Sequence, residues 1–308
     1  MTTGNKIVRC LLQSILLLGW FVPACYAADG SRVLLVLSDS NALYQTFANT
    51  YRQNLPADIH LQQLQRAEDF DGQQADMVVT VGVKAAEWVA MKTTQPMLAV
   101  MIPSHTYTDL LAKRPGNKLT SAIFLDQPWH RQAAFLRAFL PERTKIGVLY
   151  SADTRLEITA LRRELSNHGF TLTGSALGRD DDLYTRLEAV LTASEVLLAV
   201  PDSAIYSSNT IRNILLSSYR RGIPLIGFSQ SYVRAGALCA IFSTPEQLAA
   251  QASRTTSSFL QSRKLPDAQY PARYEIAVNQ EVARTLGLTI QPVELLRSQL
   301  EKSPGNPR

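Results

Sequence analysis

Short apolar runs alternating with amphipathic segments fill the chain from residue 32 onward, and this alternation limits the fold more than any other feature. Runs at 32–37, 59–62, 77–81, 97–102 and 120–125 read as strands. Leu43, Phe47 and Tyr51 recur at the spacing of one helix face, which predicts a helix over about 41–54, and 82–91 reads as another. The pattern then restarts. Helices are expected at 129–140, 156–168 (with Gly169 as its cap), 183–191 and 205–219. Strands are expected at 145–150, 170–173, 196–200, 223–227 and 238–242. Short, nearly continuous apolar strands between helices are buried on both faces, which implies parallel sheets covered by helices. Two such units in succession predict an α/β chain of two doubly wound Rossmann-like lobes joined by a hinge. The polar, Pro-rich tail at 300–308 is expected to be disordered.

The first 27 residues read as a secretory leader. Lys6 and Arg9 precede an apolar run from Cys10 to Val22, Pro23 breaks it, and Ala24-Cys25-Tyr26-Ala27 places small residues for cleavage after Ala27. The run falls short of the ~20 apolar residues that span a bilayer. Val22-Pro23-Ala24-Cys25 also loosely resembles a lipobox, in which Cys25 would carry a lipid, but proline fits poorly there. The expected compartment is the periplasm. Loss of Lys6 and Arg9 with the leader takes the formal charge from +5 to +3. The remaining charges are scattered, so no nucleic-acid stripe is expected.

Cysteine usage and motifs narrow the chemistry. With Cys10 and Cys25 in the leader, Cys239 alone is left, within an apolar strand where an inert thiol is expected. His60, His105, His130 and His168 are far apart and lack ligand spacing, so neither a metal nor a cofactor is expected. Asp180-Asp181-Asp182 precedes a helix, where acidic residues favour the dipole. Neither a phosphate-binding Gly-x-x-x-x-Gly-Lys-Ser/Thr loop nor a Gly-x-Ser-x-Gly elbow occurs, and no enzyme activity is expected.

The strand ends carry the functional expectation. Open α/β sheets bind ligands beyond the carboxyl ends of their strands. Here those ends are Thr80-Val81-Gly82, Pro103-Ser104-His105, Ser151-Ala152-Asp153-Thr154, Pro201-Asp202-Ser203 and Ser229-Gln230-Ser231. Each leads towards a helix, whose first N–H groups suit an anion. Singly, each Ser or Thr is a capping residue; five such loops meeting at one cleft make a site. The candidates are Thr80, Gly82, Ser104, Ser151, Asp153, Thr154, Asp202, Ser203, Ser229 and Gln230. Asp202 would hold a cationic group. Ser151, Ser203, Ser229 and the helix end at Gly82 would hold an anionic or hydroxyl group.

Four segments carry a family resemblance. Ile223-Pro224-Leu225-Ile226-Gly227-Phe228 continuing through Ser231-Tyr232-Val233 to Gly236-Ala237-Leu238, and Val278-Asn279-Gln280-Glu281-Val282-Ala283 continuing through Leu286-Gly287-Leu288, resemble segments of ABC-transporter substrate-binding proteins of the tryptophan/aromatic-amino-acid-binding type. Pro115-Gly116-Asn117-Lys118-Leu119-Thr120-Ser121 is similar to that family's "PGxNxTG" turn, and Ile146-Gly147-Val148-Leu149-Tyr150 is similar to the opening strand of its second lobe. The resemblance implies a type I periplasmic-binding-protein fold, with lobe 1 comprising 28–125 plus about 244–268 and lobe 2 comprising 126–243 plus about 269–299, a small-molecule ligand and an ABC permease in the inner membrane as partner. It also implies ligand-facing loops at 80–82, 151–154, 201–203 and 229–231. The chain departs from the family at 102–105, 151–155 and 202–204, so the ligand need not be an amino acid. The same departures motivate an alternative role, a ligand-sensing or adaptor module that presents its closed form to a sensor kinase.

Overall fold

In this computed structural model the structure describes residues 30–113, 119–151, 154–178 and 181–302. The leader with Cys25 and its cleavage site, the turn at 115–118, Asp153, Asp180 and the tail from 303 lie outside the described residues.

Eleven strands are described, in two sheets. The first sheet holds β1 (Arg32–Leu37), β2 (His60–Leu64), β3 (Met77–Val81), β4 (Met97–Ile102) and β5 (Thr120–Phe124), in the order β2-β1-β3-β4-β5, all parallel. The helices between them are α1 (Ala42–Asn54), α2 (Val83–Lys92) and α3 (Ser104–Lys113). Asn41 caps α1 by accepting the Tyr44 amide, so the 41–54 expectation is met with its first residue as the cap. Val33, Leu35 and Leu37 face one side of the sheet with Phe47 and Tyr51. Leu34 and Val36 face the other with Ala85 and Val89, as strand alternation requires. Both faces are buried, and the strands therefore read as unbroken apolar runs.

The second sheet holds β6 (Lys145–Ser151), β7 (Thr171–Leu177), β8 (Val196–Leu198), β9 (Leu225–Gly227), β10 (Cys239–Phe242) and β11 (Glu275–Val278), in the order β11-β10-β9-β8-β6-β7. Its helices are α4 (Trp129–Phe139), α5 (Arg155–Asn167), α6 (Leu183–Thr192), α7 (Ile211–Arg220) and α8 (Gln230–Ala235). The edge strand β11 runs antiparallel to β10, a departure from the all-parallel expectation. The chain returns to this edge from the other lobe and so meets β10 head to tail.

Two boundaries also differ from expectation. The helix expected from 205 begins at Ile211, because Asp202 and Thr210 bind the intervening backbone. The Asp202 carbonyl accepts the Ile205 and Tyr206 amides, and the Thr210 hydroxyl accepts the Ser207 amide at 3.0 Å. At the C-terminus, α10 (Gln280–Thr285) precedes α11 (Val293–Glu301), so Leu300 and Glu301 are helical rather than part of a disordered tail. Leu296 and Leu300 of α11 join the second core.

The chain crosses between the sheets three times: at 125–128, at 243–244 before α9 (Pro245–Ser262), and at 263–274. The long helix α9 packs on the first sheet, where Leu248, Ala249, Ala252 and Phe259 join its core. The Tyr51 phenol meets the Thr256 hydroxyl at 2.7 Å and fastens it to α1. The three crossings are stitched together by buried polar groups. Arg131 Nη1 donates to Gln127 Oε1 at 2.7 Å and to the Pro271 carbonyl at 2.9 Å. Gln127 Nε2 donates to Ser243 Oγ at 2.9 Å, and Ser243 Oγ donates to the Arg273 carbonyl at 2.5 Å. Burial pushes the Arg131 guanidinium pKa down, and the Tyr274 ring 4.8 Å away faces it. No described helix is long and apolar enough to cross a membrane.

Candidate functional site

The carboxyl ends of the two sheets face one cleft, and each loop there has a definite construction. In the first lobe, β4 ends at Met101, whose φ of 59° is rare for a residue with a side chain, and the register against β5 shifts between Val100 and Ile102. This bulge turns the strand into α3. Ser104 opens α3 and is 6% exposed. Its amide donates to Asp126 Oδ2 at 2.8 Å, and its hydroxyl donates to the same oxygen. In the second lobe, Asp202 Oδ2 accepts the Ser151 amide at 2.8 Å and the Thr154 hydroxyl at 3.0 Å, while Oδ1 accepts the Ala204 amide at 3.1 Å. Each lobe thus joins two of its strand-end loops through a buried Asp side chain that accepts more than one hydrogen bond.

Two adjoining hollows lie between these loops. One is lined by Ser104, His105, Asp126, Trp129, Thr154 and Pro201 among others. The other shares Asp126, Trp129 and Pro201 and adds Gln127, Gln132 and Phe228. The first draws on strand ends of both sheets, and the second is walled by the 125–128 crossing and the second lobe. Phe228 is held by Tyr232, its ring centroid 4.4 Å away, and by an edge contact with Tyr206. The Tyr232 hydroxyl donates to the Tyr206 carbonyl at 3.0 Å, and burial pushes its pKa up to about 12.

Of the residues expected from sequence, Ser104 and Thr154 stand together on the wall of one hollow. Ser151 and Asp202 lie directly behind Thr154. Gly82 opens α2 with φ 87° and ψ 166°, but neither it nor Thr80 lines either hollow. Thr80 is fully buried in the sheet, and its hydroxyl has no hydrogen-bond partner. At the α2 end, Ser38 Oγ already accepts the Ala85 amide at 3.0 Å and donates to the Val81 carbonyl, so part of that donor set is spent on the protein itself. Ser203 and Gln230 are exposed, and Ser229 Oγ lies 2.7 Å from Ser231 Oγ. Asp153 lies outside the described residues. Asp182 caps α6 by accepting the Thr185 amide, and hydrogen bonds from Thr185 hold its carboxyl below the usual range.

Asp126, Trp129 and Phe228 are wall residues that sequence reasoning did not nominate. The signal is present, since Leu125-Asp126-Gln127-Pro128 follows β5 as the other polar loops follow their strands, but the expected lobe boundary at 126 sets it apart from them.

Comparison with known proteins agrees with this architecture. No curated protein matches the chain. Among solved structures, an ABC domain from Streptococcus pneumonia in complex with L-Trp is 14% identical with a TM-score of 0.65, over 87% of this chain and 98% of that one. A conserved domain protein from Vibrio cholerae is 18% identical with a TM-score of 0.63, over 88% and 98%. A ligand-free, open substrate-binding protein with adhesive properties from Clostridium difficile is 16% identical with a TM-score of 0.66, over 90% and 97%. At such identities the likeness speaks for the fold, that of the type I periplasmic binding proteins. The model of the family described as ABC transporter substrate binding protein matches residues 51–301, most of the chain. By that match, and with two parallel-sheet lobes and a cleft at their strand ends, the chain belongs to the ABC transporter substrate-binding protein family.

Proposed function

We propose that this protein is the periplasmic solute-binding component of an ABC-type uptake system, capturing a small polar organic ligand between its lobes and handing it to an inner-membrane permease. The observation that carries the reading is the hollow walled by strand-end loops of both sheets, with a second hollow adjoining it. A ligand there meets Ser104 and His105 from the first lobe and Thr154 and Pro201 from the second. A solute bound to both walls stabilises the closed arrangement over the open one, because only the closed arrangement provides both sets of contacts. The three crossings allow hinge movement, and the Gln127–Ser243–Arg131 network sets their spacing. Mostly apolar walls with a few convergent polar groups are the usual make-up of a small-molecule site. The L-Trp complex of the Streptococcus relative supports a ligand of about that size.

A thermal-shift screen of the purified protein tests this against amino acids, amines, nucleosides, sugars and small carboxylates. A ligand present at about 100 times its Kd stabilises the folded state by about 2.7 kcal/mol. A reproducible rise in Tm with one chemical class supports solute capture. A flat response across the panel, from protein shown to be free of co-purified ligand, removes it.

A further inference from the structure

We propose that the edge strand β7 pairs with β7 of a second copy of this chain, antiparallel about a two-fold axis at Gly174, so that the two second-lobe sheets run on as one. The proposal concerns the outer edge of that sheet and does not depend on what the cleft binds.

β7 is an edge without the usual protection. Its seven residues, Thr171-Leu172-Thr173-Gly174-Ser175-Ala176-Leu177, include neither a charged side chain nor a proline, and they pair with β6 in an unbroken parallel register. Sheet edges are commonly blunted by charge, proline, a bulge, shortness or a covering segment. The other edges here use such devices. β11 is four residues long and begins with Glu275. β5 is covered by the third crossing, where the Phe124 amide donates to the Gln269 carbonyl and the Gln269 amide donates to the Ala122 carbonyl. β2 is five residues long.

The ladder fixes which groups face outward. The Thr171 amide donates to the Thr144 carbonyl, at the start of β6, at 2.8 Å. The N–H and C=O of one strand residue point to the same side, and the side alternates along the strand. Thr171, Thr173, Ser175 and Leu177 therefore face β6, while Leu172, Gly174 and Ala176 face away from it. The ends of this outward row have partners within the chain. Arg162 Nη1 donates to the Leu172 carbonyl at 2.8 Å, and the Gly178 amide donates to Asp181 Oδ2 at 2.8 Å. Between those ends, the N–H and C=O groups of Gly174 and Ala176 have no partner among the described residues, and both residues are partly exposed.

Two features select a second copy as the occupant. The outward row is self-complementary. A two-fold axis at Gly174 sets that residue opposite its own counterpart and Leu172 opposite Ala176, and each pair exchanges N–H and C=O as antiparallel strands do. The Leu172 carbonyl keeps a second lone pair for this beside the one that Arg162 uses. The charges at the two ends are complementary as well. Among the described residues Arg162 has no carboxylate partner, and Asp182, just beyond Gly178, is held by Thr185 rather than by a base. Antiparallel pairing brings the Arg162 end of each strand to the Asp182 end of the other. Parallel pairing would instead set like charges together.

Analytical ultracentrifugation of the purified protein over a wide concentration range, with hydrogen exchange measured at both extremes, tests the proposal. It expects a reversible monomer–dimer equilibrium. The Gly174 and Ala176 amides should exchange at least about tenfold more slowly where the dimer predominates. Ala176→Pro should weaken association about tenfold or more, because it removes an outward donor that the ladder to β6 does not use. Arg162→Glu should weaken association too, and most at low salt. Circular dichroism shows whether each variant folds, and where one does not, amide exchange in the unaltered protein decides. A protein that stays monomeric at every concentration overturns the proposal. So does a dimer whose Gly174 and Ala176 amides exchange as fast as in the monomer, since it forms through another surface. Protection of those amides in the monomer overturns it as well, because something other than a second copy then covers the edge.

Discussion

Asp202 Oδ2 accepts the Ser151 amide at 2.8 Å, joining two strand ends that lie 51 residues apart in the chain. The same oxygen takes the Thr154 hydroxyl, and the other carboxylate oxygen takes the Ala204 amide. Ser104 and Asp126 repeat the device in the first lobe. The cleft walls are therefore built by carboxylates that collect neighbouring donors.

Replacing Asp202 by alanine removes the acceptor from three donors at once. Hydrogen bonds to charged groups contribute about 1.5–3 kcal/mol each when a partner is lost in the interior, and part is recovered by water at this cleft-side position. We expect Asp202→Ala to lower the unfolding free energy by about 2–3 kcal/mol in urea titration, and Asp202→Asn to lose less because one acceptor oxygen remains. A loss below about 0.5 kcal/mol would show that the loop holds without the carboxylate.

Gly82 occupies a backbone region open almost only to glycine, with φ 87° and ψ 166°. A Cβ there would stand 2.6 Å from Ser38 Oγ and 2.8 Å from the Tyr44 ring carbon Cζ. Gly222, with φ 66°, has open space around it and serves as the control. Gly82→Ala should cost about 2–3 kcal/mol, and Gly222→Ala about 1 kcal/mol, since the second pays only the left-handed backbone penalty. Equal losses in parallel chemical denaturation would mean that the contact with Ser38 and Tyr44 relaxes freely.

Much of this was legible in the sequence because strands buried on both faces read as short unbroken apolar runs, set off from the helix-period segments between them. Val33 to Leu37 and Met77 to Val81 could only be central strands. The family segments around 223–238 and 278–288 supplied the connectivity. What the sequence hid was which side of a loop faces the cleft. Thr80 and Ser104 both sit at strand ends, but alternation turns Thr80 into the sheet interior, while the Met101 bulge turns Ser104 to the wall. Asp126 was missed for a related reason. Its partner Ser104 is 22 residues away, and only the folded sheet brings them together. The strand β11 escaped notice because Glu275–Val278 is short and its pairing with β10 is set by the returning chain rather than by local propensity.

Asp76 gives the fold an acid-sensitive clasp. It accepts the Arg32 amide at 2.9 Å and Arg263 Nη1 at 2.8 Å, joining the start of β1 to the end of α9. The amide hydrogen bond, then the Arg263 side chain, hold its carboxyl below the ordinary value of 3.8. The folded protein thus binds the proton less readily than the unfolded chain. The stabilisation is fully present above the unfolded pKa and is lost as the pH falls from about 4 through the lower folded value. We expect melting curves from pH 7 to pH 3 to fall less steeply below pH 4 for Asp76→Asn than for the unaltered protein. Parallel curves would show that the clasp contributes nothing.

Gln127 is where the hinge and the cleft meet. Its Oε1 accepts Arg131 Nη1, its Nε2 donates to Ser243 Oγ, and its side chain lines the larger hollow. Through Ser243 and the Pro271 carbonyl, it links all three crossings between the lobes. Gln127→Leu keeps the volume but leaves buried donor and acceptor groups unsatisfied, at about 1–3 kcal/mol. For a chain of this size that corresponds to a fall in Tm of roughly 2–8 °C. The local signature is sharper than the global one. Hydrogen exchange at the Ala272, Arg273 and Tyr274 amides should quicken, because the third crossing loses its anchor, while exchange in β1 and β3 stays unchanged. If the Tm holds and 272–274 exchange at the original rate, the crossings are set by the sheets themselves and the polar network is a passenger.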